Sequence, residues 1–157
     1  MDQDAIIQYI TGAFADIETL RPTDGPGAGD TFFYCAPDGS FDPTHQFPFA
    51  TIVTKDYGDF DNTSNLNRPD VFRLNIGVSR ETFRTLFGHA PTEDNPSGAS
   101  YDFAALDRLA PHPVYGRQSW VCALNPSAEI FEAVKPLLAE AYSIVAKRYA
   151  SKQARPE

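Results

Sequence analysis

Residues Val71 to Val78 read VFRLNIGV, and their alternation decides the fold. Phe72, Leu74, Ile76 and Val78 fall on one side and Val71, Arg73, Asn75 and Gly77 on the other, the two-residue period of a half-buried strand. Ser79 follows directly and is a helix cap by residue type. Glu81 then supplies an acid for the first turn, and Phe83, Leu86 and Phe87 form an apolar stripe over Arg80 to Phe87. The local unit is a strand running into a short helix.

Upstream, two further strands are expected. Thr31 to Cys35 (TFFYC) is β-branched and aromatic between turn residues, and Phe47 to Thr54 (FPFATIVT) is an apolar run with a proline near its start, where strands tolerate one. Ile6, Ile7, Ile10 and Phe14 recur at helical spacing in Asp4 to Phe14, with Asp2 or Asp4 as cap, so a helix opens the chain. Arg21 to Asp30 (RPTDGPGAGD) and Lys55 to Pro69 (KDYGDFDNTSNLNRP) read as surface loops.

Downstream, Gly88 to Ser100 (GHAPTEDNPSGAS) is polar and rich in turn residues, and its length for a helix connection marks it as mobile and a candidate lid. Asp102 is expected to cap a short helix carrying Phe103, Leu106 and Leu109, which stops before Pro111 and Pro113. Ser119 to Leu124 (SWVCAL) reads as a strand. Ser127 to about Ser151 is helical, and Pro136 either kinks it or separates a short helix ending near Val134 from a longer one with Pro136 in its first turn.

Strands and helices in this order are mixed rather than strictly alternating. They predict an α+β fold, a small mainly antiparallel sheet with helices packed on one face, in a single domain over 1–157 whose last residues, about 150–157, fray. The 21 acids outnumber 13 Lys and Arg, and the excess lies in residues 1–70, where twelve acids face Arg21, Lys55 and Arg68. Such a surface repels a polyanion, which disfavours nucleic acid as partner. The apolar runs are too short to span a membrane, and acids at Asp2 and Asp4 stand where an export signal needs cations, so a cytoplasmic location is expected. Cys35 and Cys122 each sit in an apolar strand-like run and read as buried free thiols. A disulfide would need their α-carbons within about 7 Å.

The segments FPFATIVTKDYGDF, RPDVFRLNIGVSRETFRTLFG and LDRLAPHPVYGRQSWVCALNPS, with the final VKPLLAEAYSIVAKRY, resemble the bacterial domain-of-unknown-function family 6194. That resemblance implies no activity and no catalytic residue. A strand containing Trp120, then a turn, then a helix with Ala141, Tyr142, Ile144 and Val145 is more distantly similar to the MmcQ/YjbR-like proteins. This likeness implies a small antiparallel sheet packed by helices. It also implies a DNA-binding reading, which would rely on Arg80, Arg84, Lys147, Arg148 and Lys152 sharing a face.

The densest set of functional groups is Pro111 to Trp120 (PHPVYGRQSW), a Pro/Gly-constrained loop feeding a strand. His112 titrates near neutrality in water, Arg117 can fork an anion, and Tyr115 and Trp120 offer flat faces. Against this stands a loop that only turns the chain, with His112 bonded to a backbone carbonyl. Arg73 and Asn75 share a strand face and either line a polar concavity with Lys55 or stand in solvent. His45, His89 and His112 lack close ligand spacing, so no metal is expected. Gly25, Gly27 and Gly29 follow no strand, so no phosphate-loop or dinucleotide cofactor is expected either. The leading reading is a non-catalytic module for a small anionic molecule or peptide, with Arg73, Asn75, Tyr115, Arg117 and Trp120 at its site. The alternative is an enzyme using His112 as acid or base and Arg117 as anion holder.

Overall fold

The structure is a computed structural model and describes residues 1–39, 41–95, 98 and 100–154, with side chains given as far as residue 151. Six strands form one sheet: β1 (Ile17–Leu20), β2 (Thr31–Cys35), β3 (Ala50–Val53), β4 (Arg73–Gly77), β5 (Leu109–Pro111) and β6 (Trp120–Leu124). Their order is β1-β2-β3-β4-β6-β5 and every neighbouring pair is antiparallel. The helices are α1 (Gln3–Ala13), α2 (Arg80–Phe87) and α3 (Ala128–Ala154). The α+β expectation holds, and β2 and α2 fall at the residues their patterns marked.

One face of the sheet carries Phe33, Ile52, Leu74, Ile76 and Val121. These pack against Ile6 and Ile10 of α1, Phe83 of α2, and Phe131, Val134 and Leu138 of α3. Fully burying side chains of this kind stabilises by roughly 1.5–3 kcal/mol each, so the helices are held mainly by this contact rather than by propensity. Two of their caps, Asp2 and Ser79, are those read from sequence, and the structure adds Ser127 for α3. Asp2 accepts from the Ala5 amide, Ser79 from the Thr82 amide and Ser127 from the Ile130 amide.

Pro136 neither ends nor splits α3, which runs unbroken through it. Proline inside a helix costs about 3 kcal/mol through a lost bond and a clash with the carbonyl four residues back. Here Pro136 and Glu132 both lie on the exposed side of the helix. Val134, Leu137, Leu138 and Ala141 continue the buried stripe across the proline. Burial on one face outweighs the local penalty on the other.

Two expectations are corrected. The edge strand β1 was not read from sequence: IETL is only four residues long and gains its definition by pairing Ile17 with Cys35 and Leu20 with Phe32. No helix starts at Asp102. Its carboxylate caps a single turn at Ala104, Leu106 bridges Leu124, and Leu109–Pro111 pairs with β6 as β5. The three-residue spacing of Phe103, Leu106 and Leu109 mimics a helix stripe, but the ladder offered by β6 overrides it.

Both cysteines are free and buried. Cys35 is paired with Ile17 on the helix side, whereas Cys122 is paired with Asn75 on the opposite side. Two strands intervene between β2 and β6, which at about 4.8 Å per strand spacing puts the cysteines on the order of 14 Å apart across the sheet. No disulfide can span that distance.

Candidate functional site

The sheet face turned away from the helices is laid out by register. Val53, Arg73 and Leu124 form one row across β3, β4 and β6. Thr51, Asn75 and Cys122 form the next, and Gly77 and Trp120 the last. The chain from residue 54 to residue 71 crosses the first row, where Leu66 packs with Val53 and Leu124. Beyond that cover lies a cavity of about 1050 Å³, whose floor includes Phe32, Thr51, Arg73, Asn75 and Trp120. Its roof is aromatic: Phe60 from the 54–71 segment meets Tyr115 from the 112–118 loop edge to face, with ring centroids 6.0 Å apart.

Gly77 shapes this floor. A Cβ there would lie 2.9 Å from Trp120 Cε2, so only glycine lets the indole lie flat against β4. The 54–71 segment is pinned at its start by Asp30. That buried carboxylate accepts from the Thr54 amide and hydroxyl, from Lys55 Nζ at 3.4 Å and from the Tyr57 hydroxyl. Lys55 is therefore turned toward Asp30 and Ala28 and does not line the concavity, contrary to the sequence reading. Tyr57 lines it instead, and burial followed by the Asp30 contact raises its phenol pKa.

Arg73 is not in solvent. It is 1% exposed and makes a bidentate ion pair with Asp61, Nη1 to Oδ1 at 3.0 Å and Nη2 to Oδ2 at 2.6 Å. Its remaining donors reach Asn75 Oδ1 at 2.8 Å, Ser64 Oγ at 2.9 Å and His112 Nε2 at 3.1 Å. Asn75 in turn donates to Thr51 Oγ1. A guanidinium on a strand between apolar rows has to find a carboxylate, because an uncompensated buried charge is costly. That requirement was the one sequence signal for Asp61 and Ser64, which sequence reasoning missed because they sit in a segment of loop composition.

His112 is the pivot of its loop. Its amide donates to the Trp120 carbonyl, extending the β5–β6 ladder, and its Nδ1 accepts from the Val114 and Tyr115 amides at 3.0 and 2.9 Å. The imidazole thus accepts from two loop amides rather than bonding a backbone carbonyl, while the His112 carbonyl accepts from the Gly116 amide. Burial first, then the adjacent guanidinium, push the His112 pKa down to about 3. A neutral imidazole with Nδ1 engaged and Arg73 rather than a carboxylate at Nε2 is poorly placed for acid–base catalysis near neutral pH. Cys122, beneath it in the sheet, is pushed up to about 12 by burial and is held as a thiol.

Of the residues singled out from sequence, Arg73, Asn75, His112, Tyr115 and Trp120 come together at this cavity, and Arg117 does not. Arg117 faces a second cavity of about 540 Å³ on the far side of the His112 loop, shared with His89, Tyr101 and described residues of the 88–100 segment. That segment was expected to be unpacked, yet His89 and Ala90 are buried, with His89 bonded to Tyr101. It borders the smaller cavity rather than covering the large one. Residues 96, 97 and 99 of the lid expectation lie outside the described residues. At the mouth of the large cavity stand Arg80 and Arg148, which sequence reasoning placed on a candidate nucleic-acid face and not at a small-molecule site. Neither has an ion pair among the described residues. The Lys152 side chain is outside the described set.

The family of unknown function DUF6194 matches residues 1–154. The chain belongs to this family. No curated protein and no solved structure matches it, and the likeness to the MmcQ/YjbR-like proteins gains no support. For this DUF6194 protein the antiparallel sheet and its helix layer rest on the structure itself. Among the described residues no helix is long and apolar enough to cross a membrane, and no three His, Cys, Asp or Glu gather as metal ligands do.

Proposed function

We propose that this DUF6194 protein is a non-catalytic binding module whose ligand is a small molecule with a flat apolar body and an anionic group. The observation that carries the reading is the cavity of about 1050 Å³ that runs from the sheet face away from the helices to the flank of α3 at Ile144, Val145 and Arg148, floored by a cross-bonded polar cluster and rimmed by aromatic side chains. Pockets for drug-sized molecules hold roughly 300–1,000 Å³ and combine an apolar lining with a few fixed polar groups, as this one does. Phe47 and Phe60 are 79% and 62% exposed and Tyr115 43%, a concentration of exposed aromatic surface that folding alone does not require. Arg80 and Arg148 at the mouth draw an anion toward it.

The chain's single tryptophan, Trp120, lies in the cavity and reports occupancy directly. A panel of small amphiphiles, anionic, neutral and cationic, is screened by Trp120 emission and by thermal shift. Anionic members are expected to change both, with affinity falling in Phe60→Ala and Tyr115→Ala, whose exposure makes the loss of fold stability small. Their association should slow with added salt and in Arg80→Ala with Arg148→Ala, as electrostatic steering requires. Affinities unchanged by the aromatic substitutions would remove this cavity as the site.

A further inference from the structure

The proton inventory at the cavity floor leaves one position without an acceptor. Of the five N–H bonds of Arg73, four are matched: Nε to Asn75, Nη1 to Asp61 and Ser64, and one Nη2 proton to Asp61. The fifth points to His112 Nε2, 3.1 Å away. His112 Nδ1 already accepts from the Val114 and Tyr115 amides, and amides only donate. A neutral imidazole carries one proton, so it sits on Nε2. Two N–H groups therefore face each other across 3.1 Å with no acceptor between them. Moving the proton to Nδ1 makes matters worse, since it would then oppose two amides instead of one guanidinium proton. Adding a second proton is opposed by burial and by Arg73 itself.

The rest of the floor is unbalanced in the same sense. Both Asp61 oxygens, Asn75 Oδ1 and Ser64 Oγ are taken by Arg73, and Thr51 Oγ1 accepts from Asn75 Nδ2, which leaves the Thr51 hydroxyl proton to give. One Arg73 Nη2 proton, the His112 Nε2 proton and the Thr51 hydroxyl proton are left toward the cavity without a matched acceptor. Buried donors without acceptors are rare in folded proteins, and at a cavity wall they mark where a ligand atom belongs. Asp61 already neutralises Arg73, so a single added negative charge is tolerated better than a doubly charged phosphate.

We propose that the cavity floor is a carboxylate subsite, in which one oxygen of the ligand accepts from both Arg73 Nη2 and His112 Nε2. This rests on the binding-module reading and names the head group that the module selects. The carboxylate lies at the closed end against Arg73, His112 and Thr51, and the apolar body extends between Trp120 and the Phe60–Tyr115 roof.

The test uses phenylacetate and decanoate beside phenylacetamide and decanamide, titrated into the full chain and followed by Trp120 emission. Hydrogen bonds to a charged group discriminate by about tenfold or more, so each carboxylate is expected to bind at least about tenfold tighter than its amide. In His112→Asn the side-chain oxygen takes the place of Nδ1 and keeps the two loop amides bonded, as Asn does in turns, while the Nε2 donor is lost. That variant should lose the preference for carboxylate, read as the ratio of carboxylate to amide affinity within the variant, so that any general weakening of binding cancels. Nitrogen NMR of labelled histidine, with His112 assigned by its absence in His112→Asn, should show the proton on Nε2 and shift that resonance when carboxylate is added. Equal affinity for carboxylate and amide, or a proton found on Nδ1, overturns the carboxylate subsite alone. If none of the four probes perturbs Trp120, the binding-module reading falls, and the subsite with it.

Discussion

Removing the carboxylate of Asp61 should destabilise the fold far more than loss of an ordinary ion pair. Asp61 is 7% exposed and Arg73 1%, and among the described residues the guanidinium has no other anionic partner. Exposed pairs contribute about 0–1 kcal/mol, because water replaces the partner. Here Arg73 is almost wholly buried, so Asp61→Ala leaves a buried charge with only the neutral acceptors Asn75 and Ser64 around it. Breaking such a pair from one side costs about 3–5 kcal/mol. At this chain length each kcal/mol moves the melting temperature by about 2–4 °C, so a drop of roughly 6–20 °C follows. Urea denaturation followed by circular dichroism and Trp120 emission measures it. The paired replacement Asp61→Leu with Arg73→Met removes both charges and should recover most of the loss, since buried pairs exchanged for apolar residues are often neutral. An Asp61→Ala cost below about 1 kcal/mol, or a double variant as unstable as the single, would refute the view that Arg73 depends on Asp61 for its charge balance.

Gly77→Ala places a methyl 2.9 Å from Trp120 Cε2, so the indole must tilt off β4 into the cavity. The expected outcome is an emission shift with a cost of about 1–3 kcal/mol, and an unchanged spectrum counts against close packing there. Thr31 Oγ1 is buried without a hydrogen-bond partner among the described residues, so Thr31→Val should stabilise the chain by about 1 kcal/mol in denaturant titration. A loss of stability would reveal a bonded hydroxyl. Glu140 joins α3 to the start of α2 through the Ser79 amide and the Thr82 hydroxyl. Burial works against its charge, but the hydrogen bonds from Thr82 and Ser79 outweigh that and hold its pKa below the ordinary glutamate value. A depressed folded pKa contributes stability that is present above the unfolded value of about 4.3 and lost as pH falls through the folded one. Glu140→Gln should thus be less stable than the parent at neutral pH, and the gap should narrow as pH falls below the unfolded value. A gap independent of pH would assign the effect to packing rather than charge.

The amino-acid sequence by itself determined the elements whose patterns are local. The alternation of VFRLNIGV, the aromatic run TFFYC, the caps at Asp2 and Ser79 and the stripe of α3 each state a period or a turn chemistry within a few residues, and each element formed where its pattern lay. Where a local pattern was short or ambiguous, the partner strand decided. IETL became β1 by pairing with β2. The Phe103, Leu106 and Leu109 spacing yielded to β6, and Pro136 yielded to a stripe buried on both sides of it. The candidate site divides the same way. Arg73, Asn75, His112, Tyr115 and Trp120 stood out by residue type and placement, and the fold brings them to one cavity. That Asp61 and Ser64 would answer Arg73, that Lys55 would turn to Asp30 and that Arg117 would face away from the cavity were decided by tertiary structure. A buried charge requires a partner, and which carboxylate meets it depends on how a 54–71 segment of loop composition crosses the sheet, a choice that no residue spacing encodes.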